Sequence, residues 1–215
     1  MKRKLEHTFI TKAHSLSRLF KGVKKFSTFM KRLEEEALID PDRYDPFKYV
    51  GDGFEFFVEL FLYLHPCDNR VGVYDYVPMQ ENDNGVDGLG RNINGERSVV
   101  QIKYRSDNTR FLTATEDHLS NMFSDGMLAY GVTADMKHKD NYRHFIFTTA
   151  SGLNFYTDQE MFKSKVRCIG YDDFRSMLDN NRVFWESALE VVNILRKEEN
   201  ENIWYIIRLS EGSRF

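Results

Sequence analysis

The sequence has 215 residues, of which 41% are hydrophobic and 29% charged, and its formal net charge is −3. That composition fits a soluble globular chain with one core, or a core plus an accessory segment, and excludes a low-complexity polymer. The slightly acidic total also excludes a protein that coats nucleic acid with its whole surface.

The charge is unevenly spread. Residues 1–32 carry Lys2, Arg3, Lys4, Lys12, Arg18, Lys21, Lys24, Lys25, Lys31 and Arg32 against a single acid, Glu6, so any polyanion contact is expected to be local. Over residues 5–38, Leu16, Leu19, Phe20, Val23, Phe26, Phe29, Met30 and Leu33 recur at three- and four-residue steps. This predicts helix, broken near Gly22, with the lysines on the other face. That face is either solvated or laid along phosphates, and Lys21, Lys24 and Lys25 are the candidate contacts. A membrane-surface helix fits the lysines but not the rest of the chain. Ile39–Pro46 has two prolines and three aspartates and reads as a connector. The expected organisation is a basic helical segment over 1–46, a core over 47–180, and a C-terminal helix and tail over 181–215 packed on that core.

Gly53–His65 has a helical period, with Glu55 and Glu59 four residues apart and therefore on one side. Carboxylates in so apolar a helix need water, a cation or a basic partner, and a solvent-facing stripe is the plainest arrangement. Arg70–Met79 reads as a strand ending at Pro78, followed by strands at Val86–Leu89 and Ser98–Arg105. Asp83-Asn84-Gly85 is turn chemistry, which leaves Asp87 as the first candidate acid. Asn94-Gly95 is a two-residue hairpin signal. In Ser98–Arg105 apolar residues alternate with Val99, Gln101 and Lys103, so Gln101 and Lys103 share a face about 6.6 Å apart. If the hairpin closes, an acid, an amide oxygen and an ammonium converge on one patch, in outline a metal-and-lysine site.

Further on, Phe111–Phe123 reads as a helix, Met127–Val132 and His144–Thr149 as buried strands, and Phe155–Lys163 as a helix. Val166–Ile169 is a last short strand, Asp172–Leu178 and Arg182–Arg196 are helices, and Lys197–Asn202 is a solvated charge run. Ile203–Leu209 returns as a strand or helix end. Together these predict an α/β fold with a mixed sheet covered on both faces. His138 and His144 flank a lysine-rich loop, Met136–Arg143, but no acid or cysteine stands at ligand spacing, so an ordinary polar loop is expected. Cys67 and Cys168 form no C-x-x-C pattern and read as reduced thiols. No apolar run follows the N-terminal basic residues, and Phe54–Leu64 is too short to span a bilayer. A soluble, cytoplasmic protein is expected.

Asp87, a hairpin-length gap and Gln101-Ile102-Lys103 resemble the PD-(D/E)xK nuclease superfamily, with Gln where Asp or Glu is commoner. The Gln-x-Lys form, the Gly-x-Asp acid motif and the upstream Gly51-Asp52-Gly53-Phe54-Glu55 are most similar to its Mrr-type restriction endonuclease branch. The resemblance runs from Tyr49 to Leu178. It implies a restriction-endonuclease-like core (αβββαβ) and Mg²⁺-dependent cleavage of DNA, with Mn²⁺ as a substitute. Phosphodiester hydrolysis needs a nucleophilic water, neutralised phosphoryl oxygens and help for the leaving oxygen, and a hard cation with oxygen ligands serves these needs. By the resemblance Asp87 is the anionic ligand, Gln101 a neutral amide ligand and Glu55 a second carboxylate. The Ile102 carbonyl is a further ligand, and Lys103 holds or deprotonates water or neutralises the phosphate. Arg105 joins the N-terminal lysines as a DNA contact. DNA is the implied partner and a homodimer is left open; no membrane or small-molecule cofactor is expected. A Holliday-junction resolvase or a catalytically silent DNA-binding module of the same fold are the alternatives.

Overall fold

A computed structural model describes residues 5, 7–64, 70–83, 85–113, 119, 130–132, 142–154 and 166–212, with 80–83 and 199–212 as backbone. The expected strand at 127–132, loop at 136–143 and helix at 155–163 lie largely or wholly outside these residues, as do Cys67 and His138. The chain divides into two compact units, residues 1–56 with 178–215, and residues 57–177. The C-terminal helix belongs to the unit of the N-terminal helices.

In the first unit the apolar period of residues 5–38 folds as three helices, α1 (Phe9–Lys12), α2 (Leu16–Phe20) and α3 (Phe26–Ala37). Helix α4 (Pro46–Leu64) starts seven residues before the expected Gly53. Asp45 Oδ1 accepts the N–H of Phe47 at 2.9 Å, so the end of the connector is an N-cap followed by proline at the first helical position. Phe9, Phe20, Phe26, Phe29, Leu33 and Phe54 are buried. Glu36 is buried as well and accepts the Tyr49 hydroxyl at 2.8 Å. Burial, then the Glu36 bond, pushes the Tyr49 phenol far above its ordinary value. The last helix, Arg182–Gly212, runs well past the expected end at Arg196 and includes the stretch read as a charge run and a strand or helix end. The Arg196 guanidinium donates to the carbonyls of Ile10 and Ala13, which satisfies the C-terminal end of α1.

The second unit is built on a five-stranded sheet. Its strands are β1 (Tyr74–Asp83), β2 (Val86–Arg91), β3 (Arg97–Lys103), β5 (His144–Thr148) and β7 (Val166–Ile169), in the order β1-β2-β3-β5-β7. The first two pairings are antiparallel and the last two parallel, so the sheet is mixed as expected. Strand β1 continues through Pro78 to Asp83 because it lies at the sheet edge, where a missing N–H is tolerated. Two short strands, β4 (Phe111–Thr113) and β6 (Gly152–Asn154), pair in parallel. The former stands where the expected helix was to begin.

The β2–β3 hairpin closes through Ile93–Gly95 and not through a two-residue turn. The Asn92 N–H donates to the Glu96 carbonyl, the Gly95 N–H donates to the Asn92 carbonyl, and Gly95 sits at φ +76°. A three-residue loop ending in a left-handed glycine is the next commonest hairpin geometry, and Asn92 Oδ1 reinforces it by accepting the N–H groups of Asn94 and Glu96. One sheet face carries Leu89, Val99, Ile146 and Val166 into a core with Val86, Leu112 and Ala150. The other carries Phe145 and Phe147. Phe147 meets Phe174 of helix α5 (Tyr171–Leu178), and Phe57 and Phe61 of α4 pack edge-on against the same ring. Helices therefore flank the sheet.

Candidate active site

The acid and the Gln-x-Lys motif occupy the two strands of one hairpin. Strands β2 and β3 pair Gly88 with Val100 and Leu89 with Val99, and Asp87 and Gln101 each stand two residues along their strand from Leu89 and Val99. Opposed residues share a face and every second residue returns to it. Asp87, Gln101 and Lys103 therefore stand on the face of Leu89 and Val99. Asp87 Oδ2 accepts the Ile102 N–H at 2.5 Å, which ties the carboxyl group across to β3.

Behind the acid, the Tyr76 hydroxyl donates to the Asp87 carbonyl at 3.4 Å. A Cβ at Gly88 would lie 2.3 Å from Tyr76 Cε2, so only glycine lets that ring lie across β2. Gln101 is 1% exposed, and its Oε1 has no hydrogen-bond partner among the described residues. Leaving such an acceptor unpaired costs roughly 1–3 kcal/mol. Lys103 is half-buried at the end of β3, and its carbonyl accepts the Thr148 hydroxyl at 2.7 Å and the Thr149 N–H at 3.3 Å. Thr149 Oγ1 then accepts the Arg105 N–H at 2.6 Å. The site is thus fixed at the carboxyl ends of the parallel pair β3–β5, where α/β sheets commonly bind ligands.

Asp87, Gln101, Ile102 and Lys103 come together in this hairpin, and Arg105 follows two residues later. Glu55 belongs to the other unit, where its carboxylate lies 3.7 Å from His7 Nε2. Its neighbours in the upstream motif have local structural reasons. Asp52 is ion-paired with Lys12 at 2.7 Å and with Lys48 at 3.8 Å, and a Cβ at Gly53 would come within 2.5 Å of Leu33 Cδ1. Glu59 is 2% exposed, so it is not part of a solvent-facing stripe. Lys21, Lys24 and Lys25 are exposed in the first unit. Tyr76, Thr148 and Thr149 were missed in the sequence, although the two threonines ending the apolar run His144–Phe147 were a visible signal.

Among the described residues no three His, Cys, Asp or Glu side chains gather into a metal-binding group. A cation at the hairpin would rest instead on one carboxylate with neutral oxygens. Gln101 Oε1, without a partner among the described residues and on the same sheet face as Asp87, fits a hard ion of the Mg²⁺ kind, which takes oxygen ligands and keeps several waters. Among the described residues no helix is long and apolar enough to cross a membrane. Compared with known proteins, the chain matches no family model and no curated protein.

Proposed function

We propose that this protein is a metal-dependent DNA endonuclease that hydrolyses phosphodiester bonds on a restriction-endonuclease-like core. The order α4, β1, β2, β3 and then β5 supports that core type. The observation that carries the function is the hairpin itself: an acid tied to the Ile102 N–H, a buried amide oxygen without a partner among the described residues, and a half-buried lysine on one face.

The ligand set is Asp87, Gln101 Oε1 and the Ile102 carbonyl, all of one unit. Bound there, Mg²⁺ or Mn²⁺ would lower the pKa of a bound water and neutralise phosphoryl oxygens. Asp87 supplies the negative charge that holds the cation, and Gln101 adds an oxygen without adding charge, which weakens binding relative to a second carboxylate. Lys103 presents its amine to the attacking water or to a non-bridging phosphate oxygen. Water oxygen bonds to phosphorus as the ester P–O bond breaks, and the leaving oxygen ends protonated. Arg105 holds the phosphate backbone, and Lys21, Lys24 and Lys25 add contacts that ignore sequence.

The test is incubation of the protein with linear, nicked, branched and single-stranded DNA in Mg²⁺, Mn²⁺ or EDTA. Cleavage that needs the metal is expected. Strong preference for branched DNA would identify a junction resolvase, and binding without cleavage in any metal would identify a silent DNA-binding module.

A further inference from the structure

Immediately beyond β3 the chain lines a cleft of about 290 Å³, formed by Arg105, Ser106, Asp107, Arg110, Phe111 and Leu112 together with Ala150. We propose that this cleft is a subsite for an unpaired nucleotide next to the scissile bond, its phosphate held by Arg105 and Arg110 and its base stacked on Phe111. The inference rests on the nuclease reading and narrows its substrate to nucleic acid with an unpaired base at the cut.

The walls of the cleft are anchored. The Arg105 N–H donates to Thr149 Oγ1 at 2.6 Å, that hydroxyl donates back to the Arg105 carbonyl at 2.7 Å, and the Ser151 N–H donates to the Arg110 carbonyl at 2.8 Å. The lining holds two guanidinium groups and one carboxylate, and Arg105 Nη1 also donates to the Tyr104 carbonyl at 2.8 Å. Asp107 Oδ1 is engaged within its own turn, accepting the Thr109 hydroxyl at 2.6 Å and the Thr109 N–H at 3.0 Å, and these bonds hold its carboxyl below the ordinary range. The balance favours an anion. Arg105 lies two residues past Lys103, no more than about 7 Å along the chain. The anion it meets is therefore the phosphate neighbouring the one cleaved.

Phe111 supplies the aromatic part. It opens β4 beside Gly152, with its ring edge 3.4 Å from where a Cβ of that glycine would sit. Its neighbour Leu112 is buried, yet Phe111 is 55% exposed. An exposed ring beside arginines is a stacking platform for a base of any identity. Bases inside a duplex have both faces stacked already, so the platform takes only an unstacked one. The volume is at the lower end for ligand sites, enough for one small moiety and far too little for a helix.

The test uses the full chain in EDTA, so that binding is read without cleavage. Fluorescence anisotropy gives Kd for a blunt duplex and for the same duplex with a short single-stranded gap, with 2-aminopurine placed in the gap. Tighter binding of the gapped duplex and quenching of the 2-aminopurine are expected. Phe111→Leu should lose about ten-fold in affinity for the gapped DNA and none for the blunt duplex, and Phe111→Trp should restore it. Arg110→Glu should weaken both. Unchanged gapped-DNA affinity and quenching in Phe111→Leu would overturn the subsite, and metal-dependent cleavage of duplex by that variant would leave the nuclease reading standing. No binding of either DNA by the unaltered chain would sink both.

Discussion

Gln101→Met keeps the length of a fully buried side chain and removes its acceptor. In the unaltered protein without metal, Oε1 is buried with no hydrogen-bond partner among the described residues. Deleting it relieves roughly 1–3 kcal/mol of unsatisfied polarity, against less than about 1.5 kcal/mol for the change of shape. The metal-free variant should therefore lie between about 0.5 kcal/mol less stable and about 3 kcal/mol more stable than the parent. For a chain of this length each kcal/mol moves Tm by about 2–4 °C, so the change runs from a fall of about 2 °C to a rise of about 12 °C. Magnesium should reverse the order. A ligand at a hundred times its Kd stabilises the parent by about 2.7 kcal/mol, and the variant, short of one oxygen ligand, gains less. Scanning calorimetry in EDTA and through a Mg²⁺ titration reads both effects without any DNA. A metal-free variant melting several degrees below the parent would mean that Oε1 already has a partner. Equal gains from Mg²⁺ would mean that no cation rests on Gln101.

Asp87→Ala and Lys103→Ala should each abolish cleavage in a gel assay while leaving circular dichroism and most DNA affinity intact, because both groups serve the transition state. Reversing Lys21, Lys24 and Lys25 to Glu should weaken binding to all DNA sequences alike and flatten the salt dependence by about 0.9 in log–log slope per lost phosphate contact; an unchanged slope makes these lysines a solvated face. Gly88→Ala should displace the Tyr76 ring, destabilise by about 1–3 kcal/mol and lower kcat through Asp87, and a fully active, equally stable variant contradicts that packing. Burial pushes the Cys168 thiol up to about 12 from its ordinary value of 9.0, so iodoacetamide at pH 8 should spare it until denaturant is added. Because the unfolded thiol ionises first, the same shift stabilises the fold below pH 9 and is lost as pH climbs toward 12.

The hairpin was legible because its information is local. Alternation around Gln101 and Lys103 fixes their common face, and Asn94-Gly95 marks the reversal between them and Asp87. The loop length was misjudged because Asn92, one residue outside the turn signal, contributes both backbone and side-chain bonds. Helix α4 was read too short because Gly51 and Gly53 weaken any helical pattern, whereas Gly53 is there for the close approach of Leu33. The helix expected over Phe111–Phe123 was started too early, because Phe111–Thr113 is a strand whose parallel partner lies some forty residues on, a pairing no local window contains, whereas Leu119 is helical. The grouping of the last helix with the first ones rests on contacts such as Ser17 to Asn193, 176 residues apart, which periodicity cannot encode.

The hairpin also bears on the order in which the second unit folds. Asp87 and Ile102 are 15 residues apart in sequence, whereas the bond from Thr148 to the Lys103 carbonyl spans 45. Closing the shorter loop loses less chain entropy, and hairpins of this kind form in about 1–10 μs, well before long-range parallel pairing. Acid and amide therefore meet early, while Lys103 stays untethered until β5 arrives. Substitutions in β5 should accordingly slow or speed the fixing of the lysine without parting Asp87 from β3, so a kinetically trapped chain would hold its acid in place while Lys103 is still unplaced.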